Sequence, residues 1–92
     1  MKTVNVKVEQ FEGRNGPAKN QMIIRTNRGV FFQSYDSIIV FIPNHGKTRL
    51  DKKFWNYSKT TGKYRNQFLK EDKKETEAKI ASGTYLLTDL NK

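Results

Sequence analysis

Gln21-Met22-Ile23-Ile24-Arg25-Thr26-Asn27-Arg28-Gly29-Val30-Phe31-Phe32-Gln33-Ser34 is the stretch on which the fold turns. Gln21 to Thr26 is predicted as a strand. Asn27-Arg28-Gly29 follows as a tight turn, since glycine enters positive φ at no steric cost. Val30 to Ser34 then returns as the second strand of a hairpin. Beyond a break at Asp36-Ser37, the segment Ser37 to Ile42 is the most apolar strand and the expected centre of the sheet. Pro43-Asn44-His45-Gly46 closes it with turn residues in succession, and Lys47 to Asp51 resumes as a short strand.

Working outward, Thr3 to Gln10 reads as the first strand, with Val4, Val6 and Val8 on one face and Asn5, Lys7 and Glu9 on the other. Glu12 to Asn20, which holds Gly13, Gly16 and Pro17, is expected to be loop. After Asp51 the period changes. Thr60 or Thr61 is predicted to cap a short helix whose Tyr64 and Phe68, four apart, form a buried stripe with Leu69. A second helix is predicted from Lys73 to Ser82, with Asp72 as N-cap, Glu75 completing a capping box and Gly83 at C′. Thr84 to Leu90 reads as the last strand. The expectation is a single α+β domain over residues 1–92, a small antiparallel sheet of about five or six strands with one or two short helices before the last.

The bulk numbers narrow the class. A chain of 92 residues suits one domain. Only 35% of it is hydrophobic, so the core is small and leans on the 12% that is aromatic. Those aromatics argue against disorder, since disordered chains lack them. There is no cysteine, which excludes disulfides and thiolate metal sites and fits a reducing interior. Met1 to Lys7 alternates polar and apolar residues and is not expected to act as a signal peptide. The longest apolar run, Ile38 to Ile42, is far short of the ~20 residues that span a bilayer. The expected setting is the cytoplasm, with no membrane attachment.

Catalysis is hard to assemble from these residues. With no cysteine and His45 the only histidine, neither a Cys–His pair nor a multi-histidine zinc site can form. Thr60-Thr61-Gly62-Lys63 fails as a phosphate-binding loop, because Tyr57 and Tyr64 stand where that loop needs glycine and Ser or Thr. Glu75, Glu77 and Lys79 could be read as a metal-nuclease set, but Glu75 and Glu77 are two apart on a predicted helix and point to different sides. No catalytic residue, metal ligand or cofactor is assigned, and the chain is expected to be no enzyme.

Charge is the informative feature. Eighteen Lys and Arg residues against nine Asp and Glu give a formal charge of +9, which suits an anionic partner. It is concentrated: Lys47 to Lys70 holds eight basic residues against Asp51 alone, while Glu71 to Lys92 holds four against five acidic ones. Phe54, Trp55, Tyr57, Tyr64 and Phe68 are interleaved with that cluster. Cations for phosphates and flat π-faces for unstacked bases together suit nucleic acid. Arg49, Lys52, Lys53, Tyr57, Lys59, Lys63 and Arg65 are the expected contact residues. Tyr64 and Phe68 are expected in the core, Tyr57 in solvent, and Trp55 is open between core anchor and platform.

Two stretches carry a resemblance. Phe32-Gln33-Ser34-Tyr35-Asp36-Ser37 and the segment Trp55-Asn56-Tyr57-Ser58-Lys59-Thr60-Thr61, continuing to Leu69, resemble a family of small proteins encoded by bacteriophages and other mobile elements of Gram-positive hosts. The likeness runs from Val30 to Leu69, and the family has no assigned activity. It implies an accessory protein acting on nucleic acid, a ribonucleoprotein or a host protein, with an anti-defence role such as inhibition of a CRISPR effector following by analogy alone. Structurally, Ser58, Thr60 and Thr61 can also satisfy open N–H groups at a helix start, with Trp55 packing ahead of it. The readings carried forward are DNA or RNA binding, a protein-directed inhibitor, and a virion component.

Overall fold

The computed structural model describes residues 6–91, so Thr3, Val4 and Asn5 of the first expected strand lie outside the described residues. Strands β1 (Val6–Gly13), β2 (Gly16–Thr26), β3 (Gly29–Ser34), β4 (Ser37–Pro43) and β5 (Arg49–Asp51) run as an antiparallel meander. Helices α1 (Lys59–Leu69) and α2 (Lys73–Ala81) follow, and β6 (Leu86–Thr88) completes a six-stranded sheet in sequence order. The α+β architecture is as expected, with β4 inside the sheet. The last pair departs from it. β6 runs parallel to β5, Leu50 opposite Leu87, because two helices intervene and return the chain in the same direction, as a parallel pair requires.

The span expected to be loop is mostly strand. Only Arg14 and Asn15 turn, between the paired Gly13 and Gly16. Gly16 sits at φ +110, a region other residues rarely adopt. Pro17 pairs with Glu12, and β3 pairs with β2 only from Gln21 onward. Pro17 therefore stands on a stretch of strand with one neighbour, where its missing N–H breaks no second ladder.

The alternation of the strands decides which face the helices cover. Ile23, Phe32, Val40 and Leu50 stand opposite one another across four strands, and all are buried. A bulge in β4 turns Ile39 onto the same side, also fully buried. Phe54, Trp55, Tyr64, Phe68, Leu69 and Ile80 pack against this layer, with the Phe68 ring stacked on Phe32 at 5.3 Å. Tyr64 and Phe68 are thus core residues, as their helical spacing predicts. Phe11 adds edge contacts to both from the β1–β2 hairpin.

The helix ends are built locally. Asp72 accepts from the Glu75 backbone N–H while Glu75 accepts from that of Asp72, the predicted capping box. At α1 the cap is Ser58, neither Thr60 nor Thr61: its hydroxyl accepts from Thr61 N–H at 3.1 Å. Thr61 is buried one turn on and hydrogen-bonds the Ser34 hydroxyl at 2.8 Å, tying α1 to β3.

Candidate nucleic-acid interface

Ahead of α1, the segment from Lys52 to Tyr57 turns back over the helix. Its anchor is Arg65. The Arg65 side chain, only 1% exposed, donates to the Trp55 carbonyl at 2.6 Å, to Asn66 Oδ1 at 2.9 Å and to Asn56 Oδ1 at 3.4 Å. Its guanidinium also lies over the Trp55 ring, 5.1 Å from the centroid. Arg65 was expected on the contact surface and is instead a buried strut between the turn and the helix. The reason is geometric: Arg65 is one turn beyond Thr61, on the helix side that faces the sheet. Trp55 serves as a core anchor, half-buried against Phe32 and its neighbours.

The three oxygens around Arg65 are all neutral, and among the described residues no carboxylate forms an ion pair with it. Burial pulls its pKa down while Glu71 and Glu77 oppose the shift. Guanidinium nevertheless stays protonated in proteins. Its Nε, buried, has no hydrogen-bond partner. An arginine charge whose hydrogen-bond partners are all amide oxygens, with Glu71 and Glu77 acting on it only through space, keeps a positive field around it.

That field lies beneath a groove of 490 Å³ lined by Asn56, Tyr57, Ser58, Lys59, Gly62, Lys63, Arg65, Asn66 and Lys73. Gly62 keeps it open. A Cβ there would stand 3.7 Å from both terminal nitrogens of Arg65, and any longer side chain would fill the space above them. Lys59, Lys63 and Lys73 are exposed, and the first turn of α1 carries no acidic residue, so the helix dipole adds to the same sign. Tyr57 is 46% exposed. Its ring is held edge-on by Phe54 at 5.4 Å, so it is a positioned platform.

Of the expected contact residues, the groove therefore gathers Tyr57, Lys59, Lys63 and Arg65, the last as its floor. Lys52 and Lys53 are exposed in the turn after β5 but do not line it, and Arg49 points from the opposite face of the sheet, across from Phe41. Lys73 was missed, because it lies in the nearly neutral C-terminal stretch and reaches the groove only through the reversal between α1 and α2. Asn56 and Asn66 carried no signal of their own. Lys63 also borders a second cleft, with Arg14 of the hairpin and Lys70 on its rim and Glu12, Glu71 and Asp72 beside them.

His45, Glu75 and Lys79 do not line the groove. His45 stands exposed in the turn after β4. Glu75 belongs to the capping box, and Lys79 pairs with Glu71 at 2.6 Å. Burial pushes the Glu71 carboxyl up, but hydrogen bonds from Lys79, Thr76 and Tyr85 outweigh it and hold the group below the usual carboxylate range.

Gly62 yields a direct expectation. It sits inside a helix, and a Cβ there meets only ordinary contact distances. Gly62→Ala should therefore raise stability by about 0.5–1 kcal/mol, read as a higher midpoint in urea. An unchanged or lower midpoint would mean that the space over Arg65 is tighter than described.

A model of a protein family spans residues 6–83, most of the chain. The chain belongs to the DUF8033 family, a family of unknown function. The DUF8033 match runs from the start of β1 to Gly83 just beyond α2, and takes in every residue of the groove. No curated protein and no solved structure matches the chain. Among the described residues, no helix is long and apolar enough to cross a membrane.

Proposed function

We propose that this protein is a non-enzymatic module that binds nucleic acid, free or within a nucleoprotein, through the groove beside α1. The observation that carries the reading is the Arg65 guanidinium, buried with no ion pair among the described residues, beneath a rim of Lys59, Lys63 and Lys73 with Tyr57 at its edge. Rim lysines neutralise phosphates, the buried cation and the α1 N-terminus add attraction, and Tyr57 offers its face to an unstacked base. A single exposed aromatic among flexible cations selects single strands over duplex and carries little base discrimination. The resemblance to phage and mobile-element proteins agrees with an accessory role of this kind.

The test is fluorescence anisotropy with labelled single-stranded DNA, double-stranded DNA and RNA at low salt. Single strands should bind more tightly than duplex. Tyr57→Ala should weaken single-strand binding about fivefold to tenfold, the low end of what one stacked base contributes. Absence of binding to all three ligands would remove the reading. A partner protein retained from nuclease-treated host lysate would then move the weight to a protein-directed inhibitor.

A further inference from the structure

The two faces of the sheet are unlike. Helices and aromatics cover the face that carries Phe32, but the pairing register also places Val8, Ile24, Phe31, Phe41, Arg49 and Leu86 in one row on the other face, one residue from each strand. None of the six belongs to the packed core. Val8 is 56% exposed and Leu86 38%, and Phe31 and Phe41 stack on each other at 4.3 Å in the middle of the row. A chain of net charge +9 thus holds a nearly uncharged apolar platform with a single cation, Arg49.

We infer that this uncovered face is the interface of a homodimer, two copies packing sheet against sheet. Two observations select a second copy as the occupant. The first is charge. Nucleic acid requires several cations to meet its phosphates, and this row supplies one, whereas charge depletion around central aromatics marks the core of protein interfaces. The second is area. The six strands range from three to eleven residues, and at about 4.8 Å spacing and about 3.3 Å rise per residue they together present a face of about 600 Å². Two copies would together remove roughly 1,200 Å² from water, the threshold for a stable complex. A two-fold axis near the Phe31–Phe41 pair lets one patch serve both partners, with the strands crossing at about 30° as in aligned sandwiches. Each groove then faces outward, on opposite sides of the dimer.

Light-scattering mass across a concentration series, with sedimentation as a second measure, tests this. The wild-type chain should reach twice its 10.8 kDa at tens of micromolar. Val8→Glu combined with Leu86→Glu, both at exposed positions, should weaken association at least about 100-fold while leaving the circular dichroism unchanged. Tyr57→Ala, on the other side, should leave the mass at two chains. Three results would overturn the inference: a single-chain mass up to about 100 μM, a dimer indifferent to the paired glutamates, or hydrogen-exchange protection of β3 and β4 gained by a monomer only when an oligonucleotide is added.

Discussion

Asp51→Asn is expected to destabilise the protein by about 3 kcal/mol, a fall of roughly 15 °C in Tm for a domain of this size. Asp51 is 1% exposed, and its carboxylate ties the turn after β5 to the segment after β6. One oxygen accepts from the Lys53 and Phe54 N–H groups at 3.0 and 2.9 Å, and the other from Leu90 N–H at 2.7 Å. It therefore fixes the turn that leads to the groove and also anchors the segment after β6. Asparagine keeps the volume but loses the charge and sets an N–H₂ against a backbone N–H, leaving buried donors unmet.

The same carboxylate sets an acid limit. Burial raises its pKa, but hydrogen bonds from Leu90, Asn91, Phe54 and Lys53 outweigh that and hold it below the ordinary aspartate value. Glu71 is depressed by the same balance. A group whose folded pKa lies below its unfolded one contributes fully above the unfolded value, near about 4, and its contribution is lost as pH falls through the folded value. Thermal unfolding of the wild type should be flat above about pH 5 and drop below about pH 4. Asp51→Asn should start lower and lose less on acidification. Equal acid sensitivity in both proteins would show that Asp51 is not held as described.

The second large effect falls on binding. Reversing Lys59, Lys63 and Lys73 to glutamate should lower affinity for a single-stranded oligonucleotide at least about 100-fold at low salt, since each lysine is assigned a phosphate contact. All three are exposed on the rim of the groove, so the fold should survive the substitutions. Arg65 is no substitute target. It braces Trp55, Asn56 and Asn66, and its replacement would confound lost binding with lost structure. The paired reversal of Lys52 and Lys53, outside the groove, is the control and should cost no more than the general loss of positive charge.

What could be read in the sequence was local. The Asp72–Glu75 capping box, Gly83 beyond α2, the turn before Gly29 and the core spacing of Tyr64 and Phe68 depend on residues a few positions apart, and each stands as its chemistry predicts. The departures are non-local. Gly16 and Pro17 look like loop until β1 lies alongside to pair with them. The direction of β6 depends on two helices upstream of it. Arg65 belongs by composition to a basic cluster, yet the turn of α1 aims it inward, while Lys73 enters the groove from a stretch of balanced charge. A count of cations along the chain located the groove within α1 and the turn ahead of it, but could not separate rim from floor.

The most direct measurement is the salt dependence of oligonucleotide binding for the wild type and the Lys59→Glu/Lys63→Glu/Lys73→Glu variant, side by side. With three phosphates met at the rim, log affinity against log salt should fall with a slope of about −2 or steeper for a single strand. The variant's residual binding should lie on a line flatter by roughly 0.7 for each lysine removed. Wild-type binding that ignores salt, or a variant that keeps the wild-type slope, would contradict the assignment of the groove beside α1 as the nucleic-acid site.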